Sequence, residues 1–288
     1  MTSIEIGEIS VTTIIELNTP FSKPLEFFDE ATDDALAPHR HWLVPRAIDP
    51  RTGMMVMPVQ SYLVRTRHHT ILLDTCVGCH KSYDGISGWD NRSDESWLIN
   101  LQAAGVSPDE VDYVFCTHLH VDHCGWNTRL ENGQWVPTFP NARYIVSGLE
   151  YDQSRKNNSS VYRENVLPVM EAGLMDTVDM DFALDDNIWI SPSVGHTAGH
   201  ICIHLSSNHR KATMSGDLMH SPIQLAHPDW SPNFDHDMER SAVTRRRFLE
   251  DHCDRDVLVL TAHFPLPSMG HIVSHADREF DFRYLGED

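Results

Sequence analysis

Three imidazoles and a carboxylate stand within six residues in His118-Leu119-His120-Val121-Asp122-His123, directly after Tyr113-Val114-Phe115-Cys116, which reads as a buried strand. Imidazole and carboxylate are the donors that a borderline divalent ion such as Zn²⁺ takes from a protein. A strand that delivers several of them from the loop at its end commits the chain to a rigid β-framework behind a metal site. His118 and His120 fall on one face of an extended segment. Asp122 and His123 follow as a second pair, and two pairs at this spacing point to two adjacent ions. The chain carries 19 histidines in 288 residues, so some clustering is expected by chance. The strand immediately upstream sets this run apart from scattered surface histidines, and its internal position sets it apart from a purification tag.

The bulk numbers bound the rest. A chain of 288 residues buries a sizeable core. Its 42 acidic against 22 basic residues give a formal charge of −20, which repels nucleic acid and anionic membrane surfaces and leaves a small molecule as the expected partner. The first residues lack a basic region followed by an apolar one, and no apolar run is long enough to span a bilayer, so a cytoplasmic location is expected. The six cysteines do not suggest a disulfide framework in a chain of this size. Cys76-Val77-Gly78-Cys79 has no second pair to complete a Cys₄ site and reads as incidental.

Residues 4–16 read as an opening strand. Residues 18–57 are rich in proline but also hold Phe21, Phe27, Phe28 and Trp42, which suits a packed lid or a dimer arm better than disorder and leaves a homodimer open. Residues 59–64 and 70–73 carry a hairpin signal. Residues 94–104 and 161–173 read as helices, 111–116 and 143–147 as strands. In the second half, strands are expected at 188–194, 201–205, 212–214, 257–260 and around Ile272, with a helix over 238–252 whose Arg245-Arg246-Arg247 reads as a solvated face. Strands clustered in each half with helices between them predict an α/β architecture, one domain over 1–288 built of two αβ halves.

Three later segments repeat the opening pattern of a strand followed by a metal-competent residue. Residues 190–195 lead to His196 within Gly195-His196-Thr197-Ala198-Gly199-His200, residues 213–216 lead to Asp217, and residues 257–262 lead to His263. His200 reads as a turn residue or a neighbour of the ligands.

In this order, with the first cluster upstream, these residues make the chain resemble the metallo-β-lactamase-fold superfamily over essentially its whole length, closest to its lactonase and methyl-parathion-hydrolase-like branch. The resemblance implies a four-layer αββα sandwich. It implies one metal on His118, His120 and His196, a second on Asp122, His123 and His263, and Asp217 bridging them. Zn²⁺ is the default for both ions, while Mn²⁺, Fe²⁺ and Co²⁺ suit similar ligands. His120 stands where the redox-active members carry Glu, and Asp217 disfavours true β-lactamase activity. His220 stands three residues after the bridging Asp, where the quorum-quenching lactonases of the branch carry Tyr.

The implied activity is a dinuclear metal-dependent hydrolase of a small, fairly apolar ester or lactone, with a metal-bridging hydroxide as nucleophile. Asp122, Asp217 and His220 are its expected catalytic residues. An organophosphate triester hydrolase with the same metals and a non-catalytic metal-binding or sensor protein are the alternatives. No Gly-x-Ser-x-Gly elbow offers a serine nucleophile. Trp126 and Phe264, which follow ligand loops, and Trp230 and Phe28 are the expected pocket aromatics, with Phe27 and Trp42 nearby in the arm.

Overall fold

The computed structural model describes residues 1–83, 85, 86 and 88–287. The chain divides into two compact units, Met1–Glu16 with Val59–Phe182, and Leu17–Pro58 with Ala183–Asp288. The predicted α/β character is observed in each, as β-strands interleaved with helices.

The first unit is built on a seven-stranded sheet. Its strands are β1 (Ser3–Ile6), β2 (Ile9–Pro20), β3 (Val56–Arg65), β4 (Thr70–Leu73) and β5 (Tyr113–Phe115), then, after the small hairpin of β6 (Thr128–Glu131) and β7 (Gln134–Pro137), β8 (Arg143–Ser147) and β9 (Met175–Val178). The order is β1-β2-β3-β4-β5-β8-β9. The single opening strand expected over 4–16 is instead an antiparallel pair, turned at Gly7, whose φ of +63° suits glycine. β4, β5 and β8 run parallel, with Leu73 opposite Phe115 and Phe115 opposite Ile145. Ile71, Leu72 and Leu73 are all fully buried, as expected of a parallel strand covered on both faces. Polar residues that follow such strands emerge together at their carboxyl ends, the usual place for a site in an open α/β sheet.

The helix expected over 161–173 is interrupted. A π turn, Tyr162–Val166, precedes the helix Leu167–Glu171. Pro168 has no N–H to give to the Glu164 carbonyl four residues back. That carbonyl instead accepts from the buried Lys81 ammonium at 3.3 Å and from the Thr128 hydroxyl.

The second unit has a six-stranded sheet in the order β10 (Ile188–Pro192), β11 (Ile201–Ser207), β12 (Arg210–Met214), β13 (Val257–Leu260), β14 (Met269–Ser274) and β15 (Phe280–Tyr284). β12 and β13 are parallel neighbours, with Met214 opposite Leu260. The helix Met238–His252 is capped by the Asp237 side chain, which accepts from the Arg240 N–H.

The proline-rich arm belongs to this unit and is packed. Thr32 caps the short helix Asp33–Leu36. Phe27, Phe28, Leu36, Leu43, Ile48 and Met55 share one apolar cluster with Ile223 and Trp230.

One expectation fails outright. Arg245 is not on a solvated face but fully buried, donating to the carbonyls of Leu218, Pro228 and Trp230 at 2.6–2.8 Å. Helical spacing puts it in line with Ser241, Phe248 and Leu249 on the inner face, while Arg246 and Arg247 turn outward. A buried guanidinium is tolerable because these carbonyls, two serine hydroxyls and Asp235 at 3.7 Å satisfy it.

Candidate metal centre

In the first unit the ligand loop hangs from β5, and Asp74 at the end of β4 organises it. Asp74 adopts a φ of +56°, a conformation Asp tolerates better than most residues. Its carboxylate accepts from the Thr117 N–H at 2.7 Å, from the Thr117 hydroxyl at 2.9 Å and from His123 Nδ1 at 2.7 Å. Because the Thr117 proton goes to Asp74, its oxygen is left to accept from His118 Nδ1 at 3.1 Å. Buried Glu150 accepts from the Leu119 N–H at 3.0 Å. The loop is thus pinned at both sides, and the His118 ring lies 4.6 Å from that of His120 and 4.1 Å from that of His123. Asp122 Oδ1 is 3.7 Å from His123 Nε2.

Behind this loop two backbones touch. The Gly125 N–H donates to the Cys76 carbonyl at 2.7 Å and Trp126 N–H to Thr75 at 2.8 Å. The Val77 and Gly78 amides and the Trp126 indole all donate to buried Glu16. Burial pushes Glu16 up to about 7, against the pull of those donors. Cys76 and Cys79 are free and buried within this backbone contact, Cys76 beside the Ser61 hydroxyl and Cys79 donating to the Asp94 carbonyl.

In the second unit, Asp217 and His263 each lie three residues beyond paired positions of the parallel strands β12 and β13, so the register sets them side by side. His263 Nε2 is 3.1 Å from Asp217 Oδ1, while His196 Nε2 is 3.3 Å from the other oxygen, Oδ2. One carboxylate therefore faces two histidines through different oxygens. His200 Nε2 accepts the Asp217 N–H at 3.0 Å, which leaves its Nδ1–H for the Ser193 hydroxyl at 2.7 Å. His220 Nε2 also meets Asp217 Oδ2, at 3.1 Å, and its ring lies nearly parallel to that of His263. The loop carrying His196 is held close by Gly195, where a Cβ would come within 2.4 Å of the Ser241 backbone.

The donors suit a divalent ion. His263 Nδ1 can only donate to the Pro58 carbonyl, at 2.9 Å. His196 Nδ1 meets Asp235 Oδ1 at 2.6 Å, as His123 Nδ1 meets Asp74. These partners hold the proton on Nδ1 and turn the Nε2 lone pair outward, the arrangement found behind metal-ligating histidines. The charge balance agrees. Burial pulls the His196 pKa down, but Asp217 and Asp235 on either side outweigh it and raise it to about 9, so these carboxylates call for positive charge between them.

Asp74 and Asp235 were missed from the sequence. Asp74 carries the same strand-end signal that found Asp217, whereas Asp235 sits in a loop with none. The aromatics expected at a pocket are core residues. Trp126 is stacked on Trp97, Phe264 packs edge-on against Phe282, Trp230 lies on His227, and Phe28 is fully buried. Their burial gives each a packing role. The phenyl rings that meet His220 among the described residues are those of Phe27 and Phe234, beside the imidazoles of His196 and His263.

Comparison with known proteins agrees with this geometry. Residues 54–263 match the model of the metallo-beta-lactamase superfamily. An N-acyl homoserine lactonase of Bacillus thuringiensis is 26% identical over 172 residues, 56% of this chain and 62% of that protein. One from a Bacillus species is 26% identical over 51% of this chain and 58% of its own length. The chain thus spans about three fifths of these curated relatives. Among solved structures, the dizinc quorum-quenching lactonase AidC superposes with a TM-score of 0.80 at 23% identity, covering 100% of this chain and 98% of that one. The hydrolase AbOPH gives 0.79 at 20% identity, covering 99% and 97%. With the strand-end ligands, the carboxylate facing two histidines and a family match over most of its length, the chain belongs to the metallo-β-lactamase superfamily and has its fold.

Proposed function

We propose that this protein is a hydrolase of a small, apolar ester or lactone that depends on two divalent ions, Zn²⁺ by default. His118, His120, His196 and Asp217 would hold one ion, and Asp122, His123 and His263, with Asp217 shared, the other. The observation that carries the reading is Asp217, whose two oxygens each face a different histidine within one unit. When bound, such a pair of ions supplies Lewis acidity and lowers the pKa of water toward ~7.

The chain's own groups have separate tasks. Asp74 and Asp235 fix the tautomers of His123 and His196. Asp217 is steadied through its backbone by His200, and Asp122 and Asp217 are the carboxylates available to orient a nucleophile or carry its proton. His220 is anchored by its own N–H to Gln224 Oε1 at 2.7 Å, and its ring is buried between aromatic neighbours and Asp217. In that place it serves to polarise a substrate oxygen or protonate a leaving group.

The test is a hydrolysis panel of lactones, aryl esters and phosphotriesters on metal-quantified protein. Lactones lead it because the Bacillus relatives are N-acyl homoserine lactonases. The expected result is turnover of a lactone or ester that chelation abolishes; metal-loaded protein that hydrolyses none of the three classes refutes the proposal. His220→Ala should keep its metals and lose about 10- to 1,000-fold in rate, the range for one proton-donating or polarising group. Unchanged kinetics would remove His220 from the catalytic set.

A further inference from the structure

Glu16 is a buried carboxylate with no part in the chemistry proposed above. It ends the buried stretch of β2, with 7% of its surface open. Oε2 accepts from the Val77 N–H at 2.7 Å, and Oε1 from the Gly78 N–H at 3.2 Å and the Trp126 indole N–H at 2.8 Å. None of these partners is a proposed ligand, and all three are donors. A protonated carboxyl would turn one oxygen into a donor facing another donor, so the place is shaped for the ionised form.

The turn that Glu16 meets is strained. Asp74, Cys76 and Gly78 take left-handed φ values of +56°, +52° and +81° at alternate positions. Such a conformation is costly for a residue other than glycine and persists only where its surroundings over-determine it. Alternation of this kind also turns successive amides toward one point and makes a concavity for an anion. Here the anion is the chain's own Glu16. The same turn carries Asp74, which holds Thr117 and His123, and Thr75, whose N–H meets the His123 carbonyl at 2.8 Å. Trp126 brings the segment leaving the ligand loop to the same carboxylate.

We propose that Glu16 is a positioning residue whose ionised carboxylate is the anion around which residues 74–78 fold, and that through this turn it sets how tightly the ligand loop holds a divalent ion. The proposal rests on the metal-dependent reading above. It makes that affinity acid-sensitive. Burial, opposed by Val77, Trp126, Arg92 and Gly78, brings Glu16 to about 7. Arg92 is the cation that favours its charge, while burial keeps Cys76, Cys79 and Tyr83 around it protonated far above neutrality. Because folding raises this pKa, ionising Glu16 costs folding stability as pH rises from the usual carboxylate range through 7. The charge thus weakens the fold as a whole while it fixes the turn, a combination that a purely structural contact does not show.

Titration of metal-free protein with Co²⁺, followed by visible absorption, reads affinity without turnover. Wild type should bind about 10-fold more tightly than Glu16→Gln at about pH 8.5. The two should agree within about 2-fold at roughly pH 6, because protonation of the ligands is common to both and cancels in the ratio. Metal-free Glu16→Gln should unfold at or above the wild-type temperature at the higher pH. Trp126→Phe removes one donor and keeps a ring on Trp97, and should move the acid loss of Co²⁺ binding to higher pH. Equal affinity of wild type and Glu16→Gln at the higher pH, or a ratio that does not change with pH, overturns the proposal. So does a Glu16→Gln protein whose unfolding temperature and affinity fall together, which is the loss of a structural contact. An acid loss in Trp126→Phe at the wild-type pH overturns it whatever the first variant does. Wild-type protein that binds no Co²⁺ overturns the metal-dependent reading, and this proposal with it.

Discussion

Asp217→Ala is expected to abolish hydrolysis and to strip the protein of at least one metal ion. The carboxylate lies 3.1 Å from His263 through one oxygen and 3.3 Å from His196 through the other, with His220 on that second oxygen as well. Removing it takes away a ligand from each proposed ion and the negative charge that lets two cations stand close together. Loss of an outer partner of a metal ligand costs about 10- to 100-fold in affinity or activity, so loss of the shared ligand should exceed roughly 100-fold in both. Asp217→Asn separates charge from shape, since it keeps the side-chain volume and one carbonyl oxygen while removing the negative charge. It should retain the fold, as read by circular dichroism, and still lose most metal. A variant with wild-type turnover and full metal content would show that Asp217 is not shared.

Gly125→Ala should be the most damaging small substitution away from any ligand. A Cβ at this position would lie 1.9 Å from the Val77 carbonyl oxygen and 2.7 Å from that of Cys76. These are backbone atoms and cannot step aside by a rotamer change. Their segment is tied to the ligand loop, with Thr75 N–H on the His123 carbonyl and Trp126 N–H on that of Thr75. Overpacking in a well-packed core costs about 1–3 kcal/mol, and a clash between two backbones belongs at the top of that range or above. In a unit of this size the melting temperature should fall by roughly 10 °C, and metal affinity should fall with it as His123 and Asp74 move apart. Thermal unfolding with and without metal, showing a midpoint within a degree of wild type, would contradict the close approach. Gly78 faces Gly125 across the same contact, with a φ of +81°, and its substitution should be nearly as harmful.

The proposed ligands are legible in the sequence because the signal is local. A short apolar strand followed by His or Asp can be read without knowing its neighbours, and that signal picks out His118, His120, Asp122, His123, His196, Asp217 and His263, the residues proposed here as ligands. The hydrogen-bonding partners of those ligands depend on register, which the sequence does not display. Asp74 matters because β4 lies beside β5 with Leu73 opposite Phe115, and Asp235 because its loop returns to His196. Arg245 misled for the same reason. Three arginines in a row look solvated until carbonyls from residues 218, 228 and 230 are seen to converge on one of them.

The aromatics show the limit of reading by adjacency. Trp126 and Phe264 follow ligand loops directly, yet strand and turn geometry send both inward, Trp126 onto Trp97 and Phe264 onto Phe282. Phe234 follows no strand, and its nearness to His196 and His220 comes from the contact between its loop and the arm. The prolines of the arm read as irregular backbone, yet the segment holds the short helices Pro24–Phe27, Asp33–Leu36 and Arg40–Leu43 and packs in the cluster around Phe27, Phe28 and Trp230.

The most direct test of the central claim is elemental analysis of the purified protein after growth with supplemented zinc or manganese, followed by chelation and reconstitution. The seven proposed ligands predict about two divalent ions per chain, removed by chelator together with activity and restored together on adding metal back. A content of one ion or none under metal-replete conditions, or activity that survives complete removal of metal, would contradict the account.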